Sequence, residues 1–297
     1  MKKKLIAMTI AMTMALGMTA CGNSTASATT GENKTANTNE TTASAETADN
    51  SNVAEADTQN TADSDVAYIK EKGTLIVGIT DFAPMDYKDD NGEWIGFDAD
   101  MAKKVAESLG VKAEFVEIDW DNKILELENK SIDVVWNGMT LTNEVKNAME
   151  CTNAYLNNAQ VVVVSADDAA NYNTVEDVAG LSFAVESGSA GEQAAIENNF
   201  NYTSLTSQAD AVMEVAAGTS QACIIDLLMA GAMVGEGTSY ENLAHTVELT
   251  TEEYGIGCRK GSDLAAFINE AMKGYYTDGS METIAKTYGV QDAIIAQ

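Results

Sequence analysis

The chain has 297 residues, 45% of them hydrophobic, and sets 17 lysines and arginines against 46 aspartates and glutamates for a formal charge of −29. That length exceeds one ordinary core, so about two domains are expected, and so acidic a chain lacks the basic surface that nucleic acid requires. One histidine, His245, gives a Ser-His-Asp arrangement a single candidate and a multi-histidine metal site no second ligand, so both readings are weak, and no cofactor and no metal are expected. The charge is also unevenly placed. No lysine or arginine stands between Lys146 and Arg259, and Arg259 is the only arginine in the chain. A site built partly from that interval would repel an anionic ligand.

In chain order, MKKKLIAMTIAMTMALGMTAC (Met1 to Cys21) has three lysines, a short apolar stretch and small residues before a cysteine. It reads as an export signal rather than a membrane span. Met18-Thr19-Ala20-Cys21 resembles the lipobox of bacterial lipoproteins, with methionine where leucine is usual. That resemblance implies a signal peptide over 1–21 and a lipid on Cys21; a plain signal peptide is the alternative. Residues 22–66 are mainly Thr, Ala, Asn, Ser and Glu. They bury too little apolar surface to offset ordering entropy and are expected to form a flexible tether.

Beyond the tether, strand-like and helix-like stretches alternate. GTLIVGI predicts a strand, and DADMAKKVAESLG a helix with Met101, Val105 and Leu109 four apart. VKAEFVEI, IDVVWN and AQVVVV read as strands, with the helical KILELEN between the first two. LSFAV, EQAAIENN, ADAVMEVAAG and QACIID then alternate strand, helix, helix, strand. This order predicts α/β architecture with mostly parallel sheets. The polar stretch after AQVVVVSADD suits a crossing between domains, and TTEEYGIGCRKG a return, before the helical DLAAFINEAMKGYY and SMETIAKTYG. Two crossings make the first domain discontinuous, 67–163 with 252–297, around a second at 164–251. Cys151, Cys223 and Cys258, widely spaced and odd in number, read as small buried residues.

In open α/β sheets ligands sit beyond the carboxyl ends of strands, so the segments there carry the argument. TDFAPMDY offers Phe82 as a pocket wall or a core aromatic. DWD places Trp120 between two aspartates, as a pocket wall or as half-buried packing. In NGMTLT a glycine permits close backbone approach, Thr140 and Thr142 supply hydroxyls, and Thr142 also suits a helix cap. ESGSAGEQAA is a Gly/Ser loop opening a helix whose free N–H groups suit a carboxylate. Asp226 ends QACIID, where it is either a helix N-cap or an acceptor for an ammonium group. Glu186 and Glu192 read as solvated loop carboxylates, with acid/base work as their other use.

Taken together, GTLIVGITDFAPMDY, NGEWIGFDADMAKKVAESLG, FVEIDWDNKILELENKSIDVVWNGMTLT, LSFAVESGSAG, ACIID and YGIGCRKG resemble the solute-binding proteins of amino-acid ABC importers, over about Lys72 to Tyr288. The resemblance implies the type II periplasmic-binding-protein fold: two α/β lobes, two hinge crossings and a ligand cleft between the lobes. It implies a monomer held by its lipid on the extracytoplasmic side of the cell membrane. That monomer captures an amino-acid-like ligand and docks on ABC permease subunits. By position, Phe82 and Trp120 match side-chain platforms; Asn137, Gly138 and Thr140 match carboxylate contacts; Ser189 and Ala190 match the second-lobe carboxylate contact; and Asp226 matches the acceptor of the α-amino group. One position departs. Family members usually carry an arginine after the threonine loop, forked onto the ligand carboxylate, and here it is Val145. Lys146, one residue on, points about 100° around the helix. A conventional α-amino acid is still the expected ligand, because the helix-terminus loops and Asp226 persist, while loss of the forked ion pair favours cationic ligands or ones with a modified carboxylate. A sensory module and an enzyme of the same fold, such as a dehydratase, are the rival readings.

Overall fold

The computed structural model describes residues 64–297. The expected signal peptide, Cys21 and nearly all of the expected tether lie outside the described residues. Helix α1 (Asp65–Lys72) begins two residues inside the stretch read as tether, with Ser64 accepting from the Ala67 N–H as its cap. Asp65 belongs to the folded body because the Arg259 guanidinium pairs with it at 2.9 Å and with Asp133 at 3.4 Å. Lys72 also reaches Asp133, at 2.6 Å. The single arginine is therefore a structural cation, committed to carboxylates beside strand β1 (Thr74–Ile79), where Asp133 also accepts from the Ile76 N–H.

A short hairpin, β2 (Tyr87–Lys88) and β3 (Trp94–Ile95), leads into α2 (Phe97–Leu109), whose Met101, Val105 and Leu109 are buried as their spacing implies. Then come β4 (Lys112–Glu117), α3 (Lys123–Glu128), β5 (Val134–Thr140), α4 (Asn143–Ala148), β6 (Glu150–Cys151) and β7 (Leu156–Ser165). The second half holds α5 (Val175–Val178), β8 (Ser182–Glu186), α6 (Ala190–Glu197), β9 (Asn201–Leu205), α7 (Gln208–Ala216), β10 (Ala222–Asp226) and α8 (Leu227–Met233). The 16-residue β11 (Leu243–Cys258) returns to the first half, where α9 (Leu264–Thr277) and α10 (Ser280–Tyr288) follow.

The main strands form one sheet in the order β4-β1-β5-β11-β7-β10-β8-β9, with β6 on β11. Each end of it is parallel: β1 with β4 and β5, and β8 with β9 and β10. The centre is antiparallel, contrary to a reading of mostly parallel sheets. β7 and β11 pair from Leu156↔Tyr254 to Ser165↔Leu243, and β11 goes on to pair β5. Pairing these two strands satisfies the backbone groups of both at once. Cys223 and Cys258 are buried, Cys151 is partly buried, and all three are free thiols; His245 is exposed on β11.

Candidate functional site

A cavity of about 940 Å³ opens between the two ends of the sheet. All eight residues singled out from the sequence line it: Phe82, Trp120, Asn137, Gly138, Thr140, Ser189, Ala190 and Asp226. A smaller neighbouring cavity, about 660 Å³, contains only Trp120 of that set.

Four of them sit in strands: Asn137, Gly138 and Thr140 in β5, and Asp226 at the end of β10. β5 runs on to Thr140, because Gly138 continues it with φ at +54°. A side chain there would place its Cβ 2.5 Å from a ring carbon of Phe82, so only glycine lets that ring lie on the strand. Phe82 also meets Tyr254 edge-on, 6.4 Å between centroids, which makes it both core and cavity wall.

The first-half donors expected for a ligand carboxylate have partners inside the protein. The Asn137 side chain accepts from the Thr80 N–H and hydroxyl, at 3.0 and 2.8 Å, and donates to Asp86 at 2.8 Å and to the Thr80 carbonyl at 3.1 Å. The Gly138 N–H donates to Asp98 at 2.6 Å, and the Thr140 hydroxyl to Glu252 at 2.9 Å. Thr142 caps α4 by accepting from the Val145 N–H at 3.2 Å. Val145 itself is buried in an apolar cluster with Ile118, Trp120 and Met149, while Lys146 is exposed at the cavity rim.

In the second half, Ser189 is the N-cap of α6 and accepts from the Glu192 N–H at 3.1 Å. Glu192 turns back to accept from the Gly188 N–H at 2.8 Å and from the Ser204 hydroxyl. Its carboxylate thus already lies against the positive start of the helix. Gly188, at φ +69°, packs on Asp121 across the cleft, where a Cβ would come within 2.8 Å of the Asp121 backbone.

Asp226 occupies the N-cap position of α8 without making a side-chain capping bond. Its carboxylate instead accepts from Asn158 and, at 2.5 Å, from the Tyr254 hydroxyl on one oxygen, and from Gln208 on the other. Gln208 also accepts from the Asp226 N–H at 2.9 Å. Burial raises the Asp226 pKa well above the usual carboxylate range, and the Glu252 carboxylate beside it raises it further. Glu252 accepts from Asn158 at 2.6 Å and from Gln160 at 2.8 Å.

Sequence reasoning passed over Asn158, Gln160, Gln208, Glu252 and Lys123. A signal existed for two of them. Asn158 and Gln160 alternate along β7, so they share one face at the start of an apolar strand. Lys123 reaches across the cleft. Its ammonium donates to the Gly188 carbonyl at 2.8 Å and to that of Trp120 at 3.2 Å, and it stands 4.9 Å over the Trp120 ring. Burial lowers its pKa, against the pull of Glu144, Glu186, Asp121 and Glu192. Glu186, expected to be a solvated loop carboxylate, ends β8 with 2% exposure. Burial pushes its pKa up to about 8, opposed by Lys123, Gln208 and Thr80.

Residues 75–291 match the bacterial extracellular solute-binding proteins, family 3. The chain belongs to that family. It is 28% identical over 225 residues to the L-cystine-binding protein TcyJ of Escherichia coli, covering 74% of this chain and 84% of TcyJ. It is 30% identical over 226 residues to the arginine-binding extracellular protein ArtP of Bacillus subtilis, covering 73% and 86%. Among solved structures it is similar to the ancestral amino acid-binding protein AncCDT-1, a precursor of cyclohexadienyl dehydratase. That match has 32% identity and a TM-score of 0.70 over 76% of this chain and 99% of the other. As a family 3 solute-binding protein it has the type II periplasmic-binding-protein fold.

Proposed function

We propose that this protein is an extracytoplasmic solute-binding lipoprotein. It captures a polar amino acid or related amine-bearing solute between lobes comprising 67–163 with 252–297 and 164–251, and delivers it to an ABC importer in the membrane. Cys21 would carry the lipid and residues 22–66 the reach between membrane and folded body. The observation that supports the ligand class is Asp226: a buried acid on the cavity wall with one oxygen that accepts a single bond, from Gln208. Each carboxylate oxygen takes two donors, so one place is left for an N⁺–H. The only arginine is committed to Asp65 and Asp133, which leaves no guanidinium opposite.

Calorimetry against a panel of amino acids and amines tests this reading. Asp226→Ala is expected to abolish binding, while Lys146→Ala leaves it within a factor of three. Unchanged affinity in both variants would refute the site. The enzyme reading draws on the dehydratase named with AncCDT-1 and on Glu186, a cavity carboxyl still protonated near neutrality and so suited to general-acid work. Against it, Glu192, the other acid considered for acid/base work, is held at the start of α6 by the Gly188 N–H and the Ser204 hydroxyl. Recovery of the bound ligand unchanged after prolonged incubation is the expected result; a converted product would favour the enzyme. A sensory role is separated from transport by asking whether uptake of the ligand by cells falls when the protein is removed.

A further inference from the structure

Glu186 is a second buried acid on the same wall as Asp226, and the fold leaves it incompletely used. It lines the cavity at 2% exposure, and its Oε1 has no hydrogen-bond partner. An unpaired buried carboxyl oxygen costs free energy that a ligand donor recovers. Gln208 ties the two acids together. Its amide is bonded to both the carboxylate and the N–H of Asp226, and it also acts on Glu186. The two carboxyls therefore flank one amide.

The donor side of the cavity is the reverse. Asn137, the Gly138 N–H and the Thr140 hydroxyl are engaged by Thr80, Asp86, Asp98 and Glu252. At the start of α6 the Glu192 carboxylate takes the Gly188 N–H and the Ser189 hydroxyl takes the Glu192 N–H. The Lys123 ammonium is held by two carbonyls. Eight carboxylate side chains line the cavity against two lysines, so an anionic ligand group finds few free donors and a repulsive field.

Resting on the reading of Asp226 as the acceptor of a ligand nitrogen, we infer that Glu186 accepts a second cationic nitrogen and that the ligand is a dication without a carboxylate, of the diamine or aminoalkylguanidine class. Two charge-assisted hydrogen bonds to separate acids fix such a molecule at both ends. An α-carboxylate on the same skeleton would be desolvated without a matching donor.

The test uses pairs of probes that differ only in the carboxylate, titrated calorimetrically into the full-length protein: agmatine against L-arginine and cadaverine against L-lysine, with pentylamine as the single-cation control. Agmatine and cadaverine are expected to bind at least 10-fold tighter than their amino-acid partners. Glu186→Gln, which keeps the shape of the side chain, is expected to weaken cadaverine at least 10-fold and pentylamine less than 3-fold. Arginine or lysine binding tighter than its decarboxylated partner would overturn this inference and leave the proposed function standing. Cadaverine affinity unchanged in Glu186→Gln would also overturn it. Should Glu186→Gln not fold, the wild-type probe pairs decide alone. Failure of every amine and amino acid to bind would overturn both.

Discussion

Buried carboxylates occur in two sets, and they do different things. In the first lobe Asp86 and Asp98 are fully buried, and burial raises the pKa of both, to about 7 for Asp98. Neither lines the cavity. Asp98 accepts from the Gly138 N–H at 2.6 Å and the Tyr155 hydroxyl at 2.7 Å, and Asp86 accepts from Asn137. Together they hold β5 and its glycine under Phe82. In the second lobe Glu186 and Asp226 are as deeply buried and as strongly perturbed, but they form cavity wall. A shifted carboxylate pKa therefore does not locate a binding site by itself. Access to the cleft separates the ligand-facing acids from those that support the strand; an unfilled hydrogen-bonding position does not, since one oxygen of Asp86 and one of Asp98 also lack a partner.

The comparison is sharpest where an acid's partner is removed. Arg259→Met leaves Asp65 and Asp133 without their guanidinium, and unfolding in urea is expected to show a loss of about 3 kcal/mol, the lower end for a broken buried ion pair because Lys72 still reaches Asp133. Ligand affinity of the folded fraction should be unchanged, since Arg259 does not line the cavity; a loss above 10-fold would break the division between structural and ligand-facing charges. Asp98→Ala strands a buried N–H and a buried hydroxyl, at about 1–3 kcal/mol. It should lower stability more than Glu186→Gln does. The reverse order would mean that Glu186 also carries the fold.

A smaller effect is expected from pH. Asp98 and Glu186 have folded pKa values of about 7 and about 8 against reference values of 3.8 and 4.5. Between those limits the folded state holds protons that the unfolded state has released, so stability rises as pH falls from about 8 toward about 4. The ligand-free protein is expected to melt higher at pH 5 than at pH 8, and Glu186→Gln should flatten the upper part of that slope. A melting temperature independent of pH across this window would contradict both burials.

Most of the fold was legible because its signals are local. The four-residue spacing in α2 and the apolar runs of β1, β7 and β10 report burial directly. The same reading stopped β5 at Asn137, because a glycine after an apolar run looks like a strand end; the packing of Phe82 on Gly138 is what carries the strand on. It also missed β9 and the first half of β11, whose residues are mostly exposed or half-buried, with only Leu243 and Val247 fully inside. Pairing to β8 and β7 supplies their order instead.

By itself the sequence determined the family, the alternation of elements, the absence of an arginine at position 145 and the acidic character of the second lobe, all of which are written in residue identity and short-range spacing. Tertiary structure alone decided which polar groups remain free. The commitment of Asn137, Gly138 and Arg259 to partners 40 to 194 residues away, and the lack of one for the Glu186 oxygen, depend on contacts between distant segments. Hydrogen-bond satisfaction is a property of the packed chain, and no local pattern encodes it.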